Sequence, residues 1–307
     1  MRKEIGKYKA SRLSLDEQHG TLFLTASNVK ALSFPQCDTA ITVKGYPDSL
    51  ATVSPNGNYV SLMNNNGGLV VYRTANLQEK LFQKKWKNMP ICKDAVFEGV
   101  GEQLLIPIQD KVYALELNLL SNLRLIYGDE EEDFGDEPWH RKGHVSGVSV
   151  SGHEILIVHK LPGNWQRYRA TLMRRLDDEH PIHAEHPSLY DTALLDNRGG
   201  VCLFCSTGLK PMRYYQSFTG DFTHPDAEIT LPGYLYPRFS RNGKYLSVHD
   251  IASVPGKVNG AWLIDTSDWK AVDEVMPHKY MIWSTGFSND DHYWLVSSDR
   301  PMVISVP

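Results

Sequence analysis

"SPNGNYVSLMNNNGGLVVYRT", residues 54 to 74, reads as two short apolar strands joined by an Asn/Gly turn, with a Pro-Asn-Gly turn ahead of the first. Gly and Asn supply the dihedrals such turns require, and β-branched and aromatic residues suit the runs between them. With "LATV" in front, the stretch is a three-strand meander. The figure recurs in "YPRFSRNGKYLSVH" (236 to 249), where Ser240, Asn242, Gly243 and Tyr245 stand as Ser54, Asn56, Gly57 and Tyr59 do. It returns in "WSTGFSNDDHYWLV" (283 to 296), with Ser288, Asp290 and Tyr293.

Four looser copies have the same outline of strand, polar or Gly turn, and apolar strand. They are "LSLDEQHGTLFLTA" (13 to 26), "AVFEGVGEQLLIPI" (95 to 108), "SGVSVSGHEILIVH" (146 to 159) and "TALLDNRGGVCLFC" (192 to 205). Anchored on the last residue of each first strand, the copies are spaced by about 38 to 51 residues. A period near 45 residues with about four strands per unit predicts an all-β, seven-bladed β-propeller of four-stranded antiparallel blades. The blades fall at about 11–45, 46–88, 89–128, 142–178, 187–230, 233–277 and 279–307, in a single domain spanning 1–307. The seventh unit ends at its third strand, "PMVISV" (301 to 306), while "KEIGKYKA" (3 to 10) is one strand too many at the start. Pairing the two closes the ring and hides a strand edge. "NLLSNLRLI" (118 to 126), the best helical candidate, is short and sits at a blade exit.

Over nearly its whole length the chain resembles seven-bladed propellers of the WD-repeat and YVTN-like kind. "SPNGNYV" and "SRNGKYL" match the "SPDGxxL" turn of that family. "GAWLIDTSDWK" (260 to 270) resembles its third strand and exit, and "GHVSGVSVSG" (143 to 152) carries the Gly-His that opens a family repeat. No copy joins that Gly-His to the family's buried Asp and terminal Trp-Asp, so the hydrogen-bonded tetrad of true WD repeats is expected to be absent.

Composition narrows function. A net charge of -4 without a basic stripe argues against nucleic acid. Four cysteines are too few for a disulfide scaffold, and "MRKEIGKYKASRLS" has no apolar run behind its charges. No apolar segment approaches the roughly 20 residues needed to cross a bilayer. The expectation is a cytoplasmic monomer, with no membrane or nucleic-acid partner and no cofactor.

"HPIHAEH" sets His180, His183 and His186 three residues apart, enough imidazole for zinc, with His140 and His144 in an earlier loop. Between Pro181 and Pro187, however, the run reads as an exposed connector whose histidines do not converge. "CLFC" places Cys202 and Cys205 at redox spacing, but within one strand residues three apart face opposite ways, so buried free thiols are expected. No GxSxG elbow or phosphate loop is present, and "SNDDHYW" (288 to 294) is an Asp-box-like turn without its Gly. If the chain is an enzyme, Asp94, Asp191 and Arg238, at or near inner-strand starts, are the best catalytic candidates.

Between the third and fourth blades runs "GDEEEDFGDEPWHRKGH" (128 to 144), in which seven of the nine residues from Asp129 to Glu137 are carboxylates. This loop, about 129–143, is a solvated excursion or a contact for a basic partner, with Glu130, Glu131 and Glu132 for charge and Phe134 and Trp139 as anchors. The other connectors are aromatic as well: Tyr46, Trp86, Tyr234 and Tyr236, Tyr280 and Trp283. Tyr236 and Trp283, at strand starts, read equally well as blade packing. Links from one blade's last strand to the next blade's first all emerge on one mouth of the ring. The reading is a non-catalytic scaffold that binds a protein or peptide, of basic character, at that mouth. The alternative is a glycosidase-like or lactonase-like hydrolase at the axis, which would present carboxylates, His or Arg to the channel.

Overall fold

The computed structural model describes residues 1–5, 8–38, 40–86, 95–119, 122–128, 143–161, 167–176, 178–186, 190, 192–204, 210–219, 221–231, 235–250, 260–276 and 281–307. These residues form seven four-stranded antiparallel sheets around a common axis, with no helix among them. The inner strands are Arg12–Asp16, Leu50–Val53, Val96–Phe97, His144–Ser151, Thr192–Leu195, Leu235–Phe239 and Ile282–Phe287. Each blade runs outward from its inner strand as a simple meander. The candidate helix 118 to 126 overlaps instead the outer strand Leu123–Tyr127 of the third blade.

Both faces of a blade are apolar because both are covered. The strand Tyr59–Met63 is buried at every position, as is Tyr245–Asp250. The core accordingly divides into seven clusters, one between each pair of consecutive blades. The cluster that joins the seventh blade to the first mixes Ile5, Leu13, Leu15 and Leu22 with Leu295 and Val303.

The repeated turn explains its own sequence. Ser54 Oγ accepts from Tyr59 N at 2.9 Å and donates to Asn56 Oδ1 at 2.7 Å, and Asn56 Oδ1 accepts from Asn58 N. Ser240, Asn242, Lys244 and Tyr245 repeat the set. Gly57 and Gly243 both sit at φ +69°, the left-handed region that glycine enters without strain. In the third copy Asp291 takes that conformation at φ +61°. Its carboxylate accepts from Arg241 N at 2.9 Å and Asn242 N at 2.7 Å on the neighbouring blade. The Asp that replaces Gly in "SNDDHYW" therefore couples two blades.

The ring closes through the N-terminal strand. Arg2–Glu4 pairs antiparallel with Met302–Ser305, in the register Arg2 to Ile304, Lys3 to Val303 and Glu4 to Met302. Ile5 N donates to Pro301 O and Ser305 N to Met1 O, each at 2.7 Å. The paired segment is shorter than the expected 3 to 10, because the chain then turns in toward the first inner strand, with Ala10 N donating to Ser298 O at 2.9 Å.

Candidate functional site

Meander topology gives the ring two distinct mouths. The links from each outer strand to the next inner strand emerge on one, the connector mouth. The turns between first and second strands, such as Ser54 to Asn58 and Ser240 to Lys244, lie on the other, the turn mouth.

Among the described residues, the exposed aromatic at the connector mouth is Trp283, 44% accessible. The inner strand pairs Ile282 with Ser298 and then Ser284 with Ser297, so Trp283 is an extra residue that a β-bulge pushes out of the ladder. Ser284 Oγ donates to Ser11 O at 2.9 Å and ties the strand beyond the bulge to the first blade. Tyr236 instead stacks on His249, with ring centroids 5.4 Å apart. His249 Nδ1 lies 3.3 Å from Thr285 Oγ1. Burial, reinforced by the charges of Arg238 and Arg12, lowers the His249 pKa to about 3, so the imidazole is neutral at physiological pH.

The other expected recognition residues fare differently. Tyr46 is half-buried, its ring directly on Gly68, where any side chain would collide, and its hydroxyl accepts from Gln83 Nε2 at 3.2 Å. Trp86 is only 9% exposed and packs with Tyr59, Leu104 and Ile106 between the second and third blades. Its ring serves the core, which corrects its placement on a partner-binding surface. Glu130, Glu131, Glu132, Phe134, Trp139, Tyr234 and Tyr280 lie outside the described residues, as do Asp94 and Asp191.

The histidine run is corrected in its local structure. Residues expected to form a connector include Ile182–His186, the outer strand of the fourth blade, paired with Tyr168–Met173. His180 precedes that strand, and His183 within it is exposed, with Nδ1 3.0 Å from Thr171 Oγ1. Among the described residues no three His, Cys, Asp or Glu side chains converge as a metal site. Cys202 is fully buried, and that burial, with the nearby Asp196 carboxylate, pushes its pKa up to about 12. Cys205 lies outside the described residues.

Along the axis lies a cavity of about 700 Å³, lined by the inner strands of all seven blades and by their turns. Arg238 lines it, together with Arg12, which sequence reading passed over. At the turn mouth, Arg241 reaches from the sixth blade to the far side of the ring. Its Nη1 donates to Pro55 O at 3.1 Å on the second blade and its Nη2 to Gly99 O at 3.2 Å on the third. Arg12 and Arg241, unlike Arg238, were not singled out as functional candidates in the sequence. The available signal was a charged residue at an inner-strand position of the repeat, and one at the turn position held by Pro55 and Asn289 in sister copies.

These features define a seven-bladed β-propeller with a closed ring, an arginine-bearing axial cavity and an exposed indole at the connector mouth. No protein-family model matches the chain, and no curated protein matches it either.

Proposed function

We propose that this propeller is a WD-like, non-catalytic recognition module whose connector mouth binds a protein or peptide segment of basic character. The observation that carries the reading is Trp283. A large indole, 44% exposed on a rigid inner strand and displaced by a bulge, has the character of an interface anchor. The acidic run 129 to 137 supports the choice of partner charge, since in sequence it falls between the outer strand Leu123–Tyr127 and the inner strand His144–Ser151. Such a run speeds association with a basic surface and makes it sensitive to salt.

The test is parallel affinity capture with the wild type, Trp283→Ala, Trp139→Ala and a deletion of 129 to 137, at low and high salt. Loss of the same partner from Trp283→Ala and from the deletion, and its weakening by salt, is the expected result. Identical recovery in all four would discard the reading. A hydrolase at the axis is favoured by one observation, Arg238 in the axial cavity. Turnover of a glycoside or lactone that disappears in Arg238→Gln would establish it.

A further inference from the structure

We propose that Asn66 is a site of spontaneous deamidation, through which water slowly replaces its amide by a carboxylate and introduces a β-linked main chain at the connector mouth. The chain holds four Asn-Gly pairs, beginning at Asn56, Asn66, Asn242 and Asn259. Such a pair is the one most open to this reaction, because glycine carries no side chain to shield its nitrogen. Asn259 lies outside the described residues, and the other three occupy turns of different construction.

Two of the three carboxamides are engaged. Asn56 Oδ1 accepts from Ser54 Oγ at 2.7 Å and from Asn58 N at 3.1 Å. Asn242 Oδ1 accepts from Ser240 Oγ at 2.8 Å and from Lys244 N at 2.9 Å. The glycine nitrogens that follow them donate to Ser54 O and Ser240 O, each at 2.9 Å. Turning either carboxamide onto the next nitrogen therefore breaks side-chain and backbone bonds together. Asn66 is exposed, and among the described residues its carboxamide makes no hydrogen bond. In this turn Asn64 is the acceptor instead, its Oδ1 taking Asn66 N at 3.1 Å and Gly68 N at 2.7 Å. Gly67 N donates to Asn64 O at 3.3 Å, the longest of the three glycine bonds. Asn65 is exposed as well but is followed by Asn66, whose side chain and bonded N–H oppose the same attack.

The reaction balances with water alone. Gly67 N loses its proton to solvent and attacks Asn66 Cγ, the Cγ–Nδ2 bond breaks, and the departing amide takes up a proton and leaves as ammonia. Water then opens the cyclic imide. Breaking its N–Cγ bond gives aspartate, and breaking its bond to the main-chain carbonyl gives isoaspartate. The turn joins the second and third strands of its blade and so opens on the connector mouth, where Trp86 N donates to Gly67 O at 2.8 Å and Asn64 Nδ2 to Pro47 O at 2.9 Å. Either product adds a negative charge there. Isoaspartate also adds a methylene to the main chain, next to the bond that seats Trp86 between the second and third blades. Where that mouth binds a basic segment, the added charge strengthens the attraction irreversibly. The chemistry at Asn66 is independent of any partner.

Incubation of the full chain at mildly alkaline pH and physiological temperature, followed by peptide mapping with mass spectrometry, tests the proposal. Isoaspartate is counted separately with an isoaspartate-specific carboxyl methyltransferase and its methyl donor. In the native protein Asn66 should convert at least about tenfold faster than Asn56 or Asn242, whose side-chain hydrogen bonds must open first. In guanidinium chloride the three rates should converge, because there the dipeptide alone decides. Asn66→Gln, at an exposed side chain, should fold normally by circular dichroism and form no isoaspartate at this turn. On ageing, Tm of the wild type should fall further than that of Asn66→Gln. Native conversion of Asn66 no faster than that of Asn56 or Asn242 overturns the proposal. So does a preference for Asn66 that persists in denaturant, which would assign it to flanking sequence, or isoaspartate in the same peptide of Asn66→Gln. An equal fall of Tm in the two aged proteins refutes the effect of the β-linkage on the turn.

Discussion

Deleting residues 1 to 5 removes the outer strand of the seventh blade, and the structure sets the size of the effect. Lys3 faces Val303, with Ile5 N bound to Pro301 O and Ser305 N bound to Met1 O on either side. The alternation of an antiparallel ladder makes Lys3 and Val303 a hydrogen-bonded pair that exchanges two further bonds. Each contributes about 1 kcal/mol net. Ile5 is 4% exposed among Leu13, Leu15 and Val303, and burying such a side chain contributes about 2 kcal/mol. The loss is roughly 6 kcal/mol, a large part of the 5 to 15 kcal/mol that holds an ordinary domain together. At about 2 °C per kcal/mol for a chain of this size, Tm should fall by about 12 °C. The freed edge of Met302–Ser305 should also promote association. Scanning calorimetry and size-exclusion chromatography of the truncated chain provide the measurement, with Lys3→Pro as a milder probe that removes one ladder donor. A truncated protein that stays monomeric with unchanged Tm refutes the closure and the reasoning behind it.

Other outcomes follow from single sites. Gly57→Ala forces a side chain into φ +69° with its Cβ 2.8 Å from Asp16 Oδ1, and should cost about 1 to 2 kcal/mol in urea unfolding. Cys202, whose buried thiol has its pKa pushed up to about 12, should resist alkylation at pH 8 until denaturant is added, as followed by mass spectrometry. His249 and His159 have pKa values lowered to about 3 and about 4, mainly by burial. The unfolded chain therefore binds more protons than the folded one below pH 6.5. Stability from these two groups is fully present above pH 6.5 and is lost as pH falls toward 4, with a slope of up to about 1.4 kcal/mol per pH unit for each. His249→Gln should flatten the fall of Tm between pH 6.5 and 4. An equally steep profile in that variant would show that the imidazole titrates normally.

The seven-fold repeat was legible because its signal is local. A turn that needs Ser at its first position and a left-handed residue at its fourth writes itself into "SPNGNYV" and "SRNGKYL", and apolar strands covered on both faces read as unbroken hydrophobic runs. Even ring closure could be read, as one strand missing at one end and one extra at the other. The fate of individual aromatics could not. Trp86 and Trp283 both occupy connectors rich in lysine or aromatic residues, yet one is buried between blades and the other stands in solvent. Only the neighbouring blade's surface and the bulge after Ile282 separate them, and neither is encoded near the residue itself. The axis shows the same limit more sharply. Arg12, Arg238 and Arg241 are scattered across the first and sixth repeats as ordinary strand and turn residues. Closing the ring turns every inner strand toward one cavity and lays a side chain of the sixth blade across to the second and third. Local sequence set the blade, and long-range closure decided which side chains meet at its centre.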